Sequence, residues 1–127
     1  MIVVDASAAL AGLLNAGPAR RTLADEQLHA PHLIDSEVAN ALRRASASRH
    51  LHADTAWAAL DAWRRLGLTR YPAFPLLDRI WELRHNLSAY DATYVALAER
   101  LACSMLTADA PLTQAPGIAC SITVVPR

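Results

Sequence analysis

The chain opens on three β-branched residues, Ile2-Val3-Val4, directly before Asp5. Such a short apolar run predicts a strand buried on both faces. Apolar spacing then turns helical over Ala6 to Leu14, breaks at Gly17-Pro18, and resumes over Ala19 to Asp25. Leu28-His29-Ala30-Pro31 reads as a short strand closed by proline. Ile34, Val38, Ala41, Leu42 and Ala45 recur at helical spacing and predict a long helix over Leu33 to Ser48. A further helix is expected over Asp54 to Leu66, with Trp57, Leu60 and Trp63 on one side and Gly67 as its cap. Thr69-Arg70-Tyr71 before Pro72 suits an edge strand. Helices follow over Leu76 to His85 and Ser88 to Leu101, the latter with Ala92, Val95 and Ala96 on one apolar face. Ser104 to Thr107 and Ile118 to Val125 complete the strands.

Strands alternating with helices predict an α/β fold, a three-layer sandwich around a mainly parallel sheet. The 127 residues are enough for one domain, residues 1–127, and carry no repeat or linker. Right-handed crossovers place the loops that carry chemistry at the carboxyl ends of the strands. Asp5 follows the first strand and Asp109 follows the Met105-Leu106-Thr107 strand, so both carboxylates are expected on one sheet edge.

Charge and composition narrow the chemistry. Twelve basic and twelve acidic residues cancel, so no global field draws the chain to nucleic acid or to anionic membrane. Every basic residue is Arg. Without Lys there is no P-loop lysine and no Schiff base, and phosphatase or receiver domains that need a lysine are excluded. Cys103 and Cys120 have neither disulfide-framework nor zinc-knuckle spacing, and the default is two buried thiols in a reducing cytosol. No basic leader precedes Asp5 and no apolar run spans a membrane, so a cytoplasmic protein without membrane contact is expected.

Asp5, Glu37, Asp91 and Asp109 stand at strand-to-helix junctions or near helix starts. Capping explains any one of them: Asp5 and Asp109 suit N-caps, Ser88-Ala89-Tyr90-Asp91 fits a capping box, and Glu37 lies where the helix dipole favours an anion. Taken together, hard oxygen ligands on one sheet edge are what Mg²⁺ or Mn²⁺ prefers. Such ions polarise a phosphoryl group and activate water. Ser7 and Thr107 flank the acids and would orient ligands.

Four blocks carry a resemblance along the whole chain. They are Val4-Asp5-Ala6-Ser7-Ala8, Glu37-Val38-Ala39-Asn40-Ala41-Leu42-Arg43-Arg44, Tyr90-Asp91-Ala92-Thr93-Tyr94-Val95-Ala96-Leu97-Ala98, and Leu106-Thr107-Ala108-Asp109. On them the chain resembles the PIN-domain ribonucleases, and among these the VapC toxins of bacterial toxin–antitoxin pairs. The resemblance implies a single PIN-like nuclease domain and metal-dependent cleavage of RNA, tRNA or rRNA, leaving a 5′-phosphate and a 3′-hydroxyl. It implies that Asp5 and Asp91 are the main ligands of Mg²⁺ or Mn²⁺, with Asp109 direct or through water. Glu37 would hold a second ion or the attacking water, and Ser7, Asn40 and Thr107 would support them. It further implies a homodimer and a cognate VapB-like antitoxin. The alternative is a catalytically silent PIN-like module that binds RNA or protein.

Remaining features have bland and sharp readings. His50-Leu51-His52 reads as a solvated loop rather than a soft-metal site. Arg84 would bind a substrate phosphate or pair with a surface carboxylate. Arg43-Arg44 and Arg64-Arg65 are solvated helix faces or RNA backbone contacts. Trp57, Leu60 and Trp63 pack in the core or anchor a partner. In the resembling toxins the third and fourth helices clip the antitoxin, which favours the partner.

Overall fold

Ile2, Val3 and Val4 form β1 (Ile2–Val4) at the centre of the sheet, and all three are buried. Asp5 turns the chain into α1 (Ala6–Leu14), followed by α2 (Pro18–Asp25) and β2 (Leu28–Pro31). Gly12 allows α1 and α2 to close on each other, since a Cβ there would stand 2.4 Å from Leu23 Cδ1 and 3.3 Å from the Ala19 carbonyl carbon. The chain continues through α3 (Leu33–Ala47), α4 (Ala53–Arg65), β3 (Leu68–Tyr71), a 3₁₀ turn, α5 (Leu77–Glu82) and α6 (Ala89–Leu101). It ends with β4 (Ser104–Thr107), a second 3₁₀ turn over Ala110–Gln114, and β5 (Ile122–Val124). This computed structural model describes residues 1–127.

The sheet order is β3-β2-β1-β4-β5, and every pairing is parallel. Helices α1 to α4 pack on one another, while α6 lies against β1, β2 and β4 with α5 beside it. The result is the expected three-layer α/β sandwich. Val3, Val4, Met105 and Leu106 from the two central strands meet Ile34, Val38 and Val95 in its core. The chain runs outward through β2 and β3 on one side of β1 and through β4 and β5 on the other. Its direction across the sheet therefore reverses between β1 and β4, at whose carboxyl ends an α/β sheet opens a crevice.

Several local expectations change. Every residue of α6 from Ala92 to Ala98 is buried, so the helix has no solvent face over that stretch. The Thr93 hydroxyl is satisfied within the helix, where Oγ1 donates to the Ala89 carbonyl at 2.7 Å. The helix expected over Leu76 to His85 is shorter, because Pro75 sits in the preceding 3₁₀ turn and the last carbonyls are taken by turns. The last strand is also shorter than Ile118 to Val125. Gly117, at φ 85°, turns the chain, and ladder bonding begins only where Met105 N–H donates to the Ser121 carbonyl. Gly67 does not cap α4 in a left-handed conformation; Leu66 is the extended cap residue.

Trp57, Leu60 and Trp63 do not form one face. Six residues of helix turn through about 600°, which leaves Trp57 and Trp63 about 120° apart. Trp63 is only 2% exposed, whereas Trp57 is 58% exposed. The Trp63 indole Nε1–H donates to Asp35 Oδ1 at 2.8 Å. Arg70 donates to the same carboxylate through Nε at 2.6 Å and Nη2 at 2.9 Å. These bonds tie α3, α4 and β3 together. The Arg70 hydrogen bond is the main cause that holds the Asp35 carboxyl below its ordinary range.

Asp35→Ala strands the buried indole N–H and is expected to cost about 1–3 kcal/mol. Urea denaturation checks this, and an unchanged midpoint contradicts it. His29 supplies a second expectation. Its Nδ1 lies 2.7 Å from the Tyr71 hydroxyl, while its Nε2 is buried without a partner. Burial first, then the N-terminal ammonium, lowers its pKa. The folded chain thus binds fewer protons at His29 than the unfolded chain. The associated stability is complete above about pH 6.5, the ordinary histidine value, and is lost as pH falls from there through the lower folded value. His29→Leu is expected to flatten that loss, read as the difference between the two proteins' melting temperatures from pH 7 to 5.

Candidate active site

Asp5 stands where β1 ends and α1 begins, beside the carboxyl end of β4. Its main-chain N–H donates to the Leu106 carbonyl at 3.0 Å, which continues the β1–β4 ladder to the acid itself. Its carboxylate is buried, with 6% exposure. Oδ1 accepts the Ser7 hydroxyl at 2.6 Å and the Ala8 N–H at 2.9 Å, and Oδ2 accepts the Thr107 hydroxyl at 2.5 Å. Capping and site-building therefore coincide in one side chain: the Ala8 bond is the N-cap of α1. Ser7 Oγ also accepts the Ala108 N–H at 2.8 Å, and Thr107 Oγ1 accepts the Asp109 N–H at 3.0 Å. The two hydroxyls thus lock the turn that carries Asp109 onto the Asp5 carboxylate.

Asp109 precedes the 3₁₀ turn but makes no side-chain cap. Asp91 lies in the first turn of α6, where its N–H donates to Ser88 Oγ at 3.1 Å. That is one half of the expected capping box. Glu37 lies in the second turn of α3, one turn further in than a dipole role suggests. Its carboxylate accepts a very short hydrogen bond from the Tyr94 hydroxyl.

Glu37 and Asp91 both respond to acidic neighbours. Asp91 is pushed above its ordinary range, first by burial and then by Asp109 and Asp5. Glu37 is likewise raised, first by burial, with Asp91 and Asp5 adding to it against the Tyr94 hydrogen bond. Tyr94 is pushed up, by burial above all and then by its bond to Glu37. None of the four acids is in an ion pair with Arg, His or the N-terminus. The structure therefore gathers Asp5, Glu37, Asp91 and Asp109, with Ser7 and Thr107, at the crevice between β1 and β4.

Asn40 is not gathered with them. It is exposed, and its Oδ1 accepts Arg43 Nε at 3.1 Å and Nη2 at 3.0 Å. His50 and His52 are exposed, as a solvated loop requires. Arg84 lies over the Trp81 ring, 4.4 Å from its centroid, and donates to the Trp81 carbonyl at 2.8 Å. Tyr94 is the member that residue patterns did not single out. It lies in one of the quoted blocks, but its partner is 57 positions away and periodicity marks it only as core.

The donor chemistry fits a hard divalent cation, with carboxylate oxygens brought near one another without a competing cation. The side chains as they stand do not close into a ligand set of three or more. Asp5 is held from three sides, whereas Asp91 is steadied only by the Ser88 hydroxyl and Asp109 makes no side-chain cap.

Residues 2–118 match the PIN domain family model. Ribonuclease VapC9 of Mycobacterium tuberculosis is 59% identical over 127 residues, covering 100% of both chains. Ribonuclease VapC1 of the same organism is 45% identical over 128 residues, covering 97% of this chain and 96% of that one. The crystal structure of PAE2754 from Pyrobaculum aerophilum superposes with a TM-score of 0.71 at 25% identity, covering 95% of this chain and 81% of the other. A parallel sheet with acids at its reversal point, a family match over nearly the full length and relatives of equal length agree: the chain belongs to the PIN-domain family, as a close relative of mycobacterial VapC proteins.

Proposed function

We propose that the chain is a Mg²⁺- or Mn²⁺-dependent endoribonuclease, one PIN-like nuclease domain over residues 1–127, and the toxin of a toxin–antitoxin pair. The observation that carries this is the gathering of four carboxylates without a cationic partner at the sheet's reversal point. Relatives named ribonucleases at 59% and 45% identity support it. Asp5, Glu37, Asp91 and Asp109 would hold the ion, which when bound supplies Lewis-acid polarisation and a water of lowered pKa.

The chain's own residues divide the remaining work. Asp5 is the fixed reference, clamped by Ser7, Ala8 and Thr107. Glu37, half-buried and hydrogen-bonded by the Tyr94 hydroxyl, would hold a second ion or the attacking water. Arg43 and Arg44 on α3 and Arg64 and Arg65 on α4 are exposed and suit RNA phosphates. With Trp63 buried, a VapB-like antitoxin on α4 would anchor on Trp57, over which Arg64 lies at 5.6 Å, and on the half-buried Leu60. A homodimer belongs to the same reading.

Asp5→Asn and Asp91→Asn are each expected to lower RNA cleavage by about 100-fold or more while circular dichroism stays native. Thr107→Val, which removes the hydroxyl that positions Asp5 and the Asp109 turn, should lose about 10–100-fold. Cleavage should require Mg²⁺ or Mn²⁺ and fail with Ca²⁺, whose longer, looser coordination suits in-line attack poorly. Full activity in purified Asp91→Asn would sink the assignment. Stability gives a separate check. Asp91→Asn keeps the Ser88 cap, because the cap bonds the main-chain N–H, and removes one repelling charge. In chelator its melting temperature should equal or exceed wild type. Mn²⁺ should then stabilise wild type and not the variant, which calorimetry reads directly.

A further inference from the structure

At the opposite, amino end of β4 a cleft of about 390 Å³ is lined by Glu99, Cys103, Ser104, Cys120 and Ser121 among others. Both cysteines are free and half-buried. The β4–β5 register pairs Met105 with Ile122 and Leu106 with Thr123. Carried two residues back at the same offset, it sets Cys103 opposite Cys120. Met105 N–H donates to the Ser121 carbonyl at 2.9 Å, the first bond of the paired region, and both cysteines line the cleft just beyond that end. Neighbouring strands lie about 4.8 Å apart. That spacing falls within the roughly 4.4–6.8 Å between α-carbons that a disulfide spans.

The segment before β5 is pinned in this position. Ala119 N–H donates to Glu99 Oε2 at 2.7 Å, and Arg79 Nη2 donates to the Gly117 carbonyl at 2.7 Å. Arg79 also grips Glu99 through Nε at 2.7 Å, so α5, α6 and the approach to β5 share one polar joint. Cys103 follows Ala102, a left-handed residue that ends α6, and Cys120 lies in a bend. Cys103 N–H donates to the Ala98 carbonyl at 3.0 Å, and both cysteines lie outside the paired strand residues. The thiols are close enough that charge on Cys103 would push Cys120 up, while burial raises both and keeps them protonated at neutral pH.

We propose that Cys103 and Cys120 form a reversible intramolecular disulfide when the chain meets a low-molecular-weight disulfide. One cysteine thiolate attacks the small disulfide, forming a mixed disulfide and releasing one small thiolate. The second cysteine thiolate then attacks the protein sulfur of the mixed disulfide and releases the other. The two thiol protons pass to the released thiolates. Both cysteines are oxidised and one small disulfide is reduced to two thiols. The cleft leaves space for the first adduct. The covalent loop from Cys103 to Cys120 encloses Thr107 and Asp109, so oxidation restrains the segment that carries one acid of the candidate site. Disulfides in reducing compartments are usually transient and redox-sensing, which suits a pair that is free until challenged.

The test is to incubate the full chain with oxidised glutathione while circular dichroism stays native. Both thiols should disappear, with a mass decrease of about 2 Da and a Cys103–Cys120 cross-linked peptide in a single chain. The melting temperature should rise by about 10 °C, as expected for closing a loop of this size. Cys103→Ser and Cys120→Ser should each stop at the mixed disulfide, about 305 Da heavier. Wild type that keeps both thiols, remains as a mixed disulfide, or cross-links only between chains overturns the proposal.

Discussion

The carboxylate of Asp5 is the joint on which the rest of the arrangement depends. A buried anion without a cation is costly unless hydrogen bonds replace its hydration. Here the Ser7 hydroxyl, the Ala8 N–H and the Thr107 hydroxyl do so, and each comes from a different structural necessity. Ala8 belongs to the first turn of α1 and must find an acceptor in any case. Thr107 ends β4 inside the core, where its hydroxyl also needs a partner. Ser7 reaches on to the Ala108 N–H and so fastens the turn after β4. One carboxylate thus joins β1, α1 and β4, and the position of Asp109 follows from it.

Around this joint the sequence sets like charges together. Glu37 and Asp91 are pushed up by burial and by their acidic neighbours, which means that the ionised cluster works against the folded state. Stability has to come from elsewhere. The near-complete burial of Ala92 to Ala98 supplies it, because α6 lies against three strands while presenting Asp91 at its amino end. Tyr94 belongs to both functions: it is buried in the core, and its hydroxyl holds Glu37. Local disagreement with the rules of a good fold is expected where a protein places chemistry, provided that the frame beneath is rigid.

What could be read from residues alone follows the range of the interactions. The alternation of strands and helices, the burial of Ile2-Val3-Val4 and the sharing of one sheet edge by Asp5 and Asp109 are local or topological, and they were legible. So was the Ser88 cap, which spans three residues. The Tyr94–Glu37 bond was not, because nothing near either residue specifies a partner 57 positions away. The same holds for Trp63, whose place in the core is decided by Asp35 and Arg70 on other elements rather than by its spacing from Trp57. Short elements such as α5 and β5 are shorter than their apolar runs suggest because tertiary turns, at Pro75 and Gly117, outweigh those runs. Asn40 shows the converse. It sits one helical turn from Glu37 in a matching block, yet its side chain turns to Arg43.

A net charge of zero conceals how unevenly the charge is placed. Five guanidinium groups are engaged away from the acid cluster: Arg70 on Asp35, Arg79 on Glu99, Arg64 and Arg65 on Asp61, Arg43 on Asn40. With no lysine in the chain, no flexible ammonium can swing in to neutralise the four carboxylates. The crevice at the reversal point therefore stays negative although the molecule as a whole is neutral. An anionic polymer approaching that crevice meets repulsion, whereas a small hard cation meets oxygen donors whose mutual repulsion it relieves. Attraction for a polyanion would have to come from the exposed arginines of α3 and α4, outside the crevice.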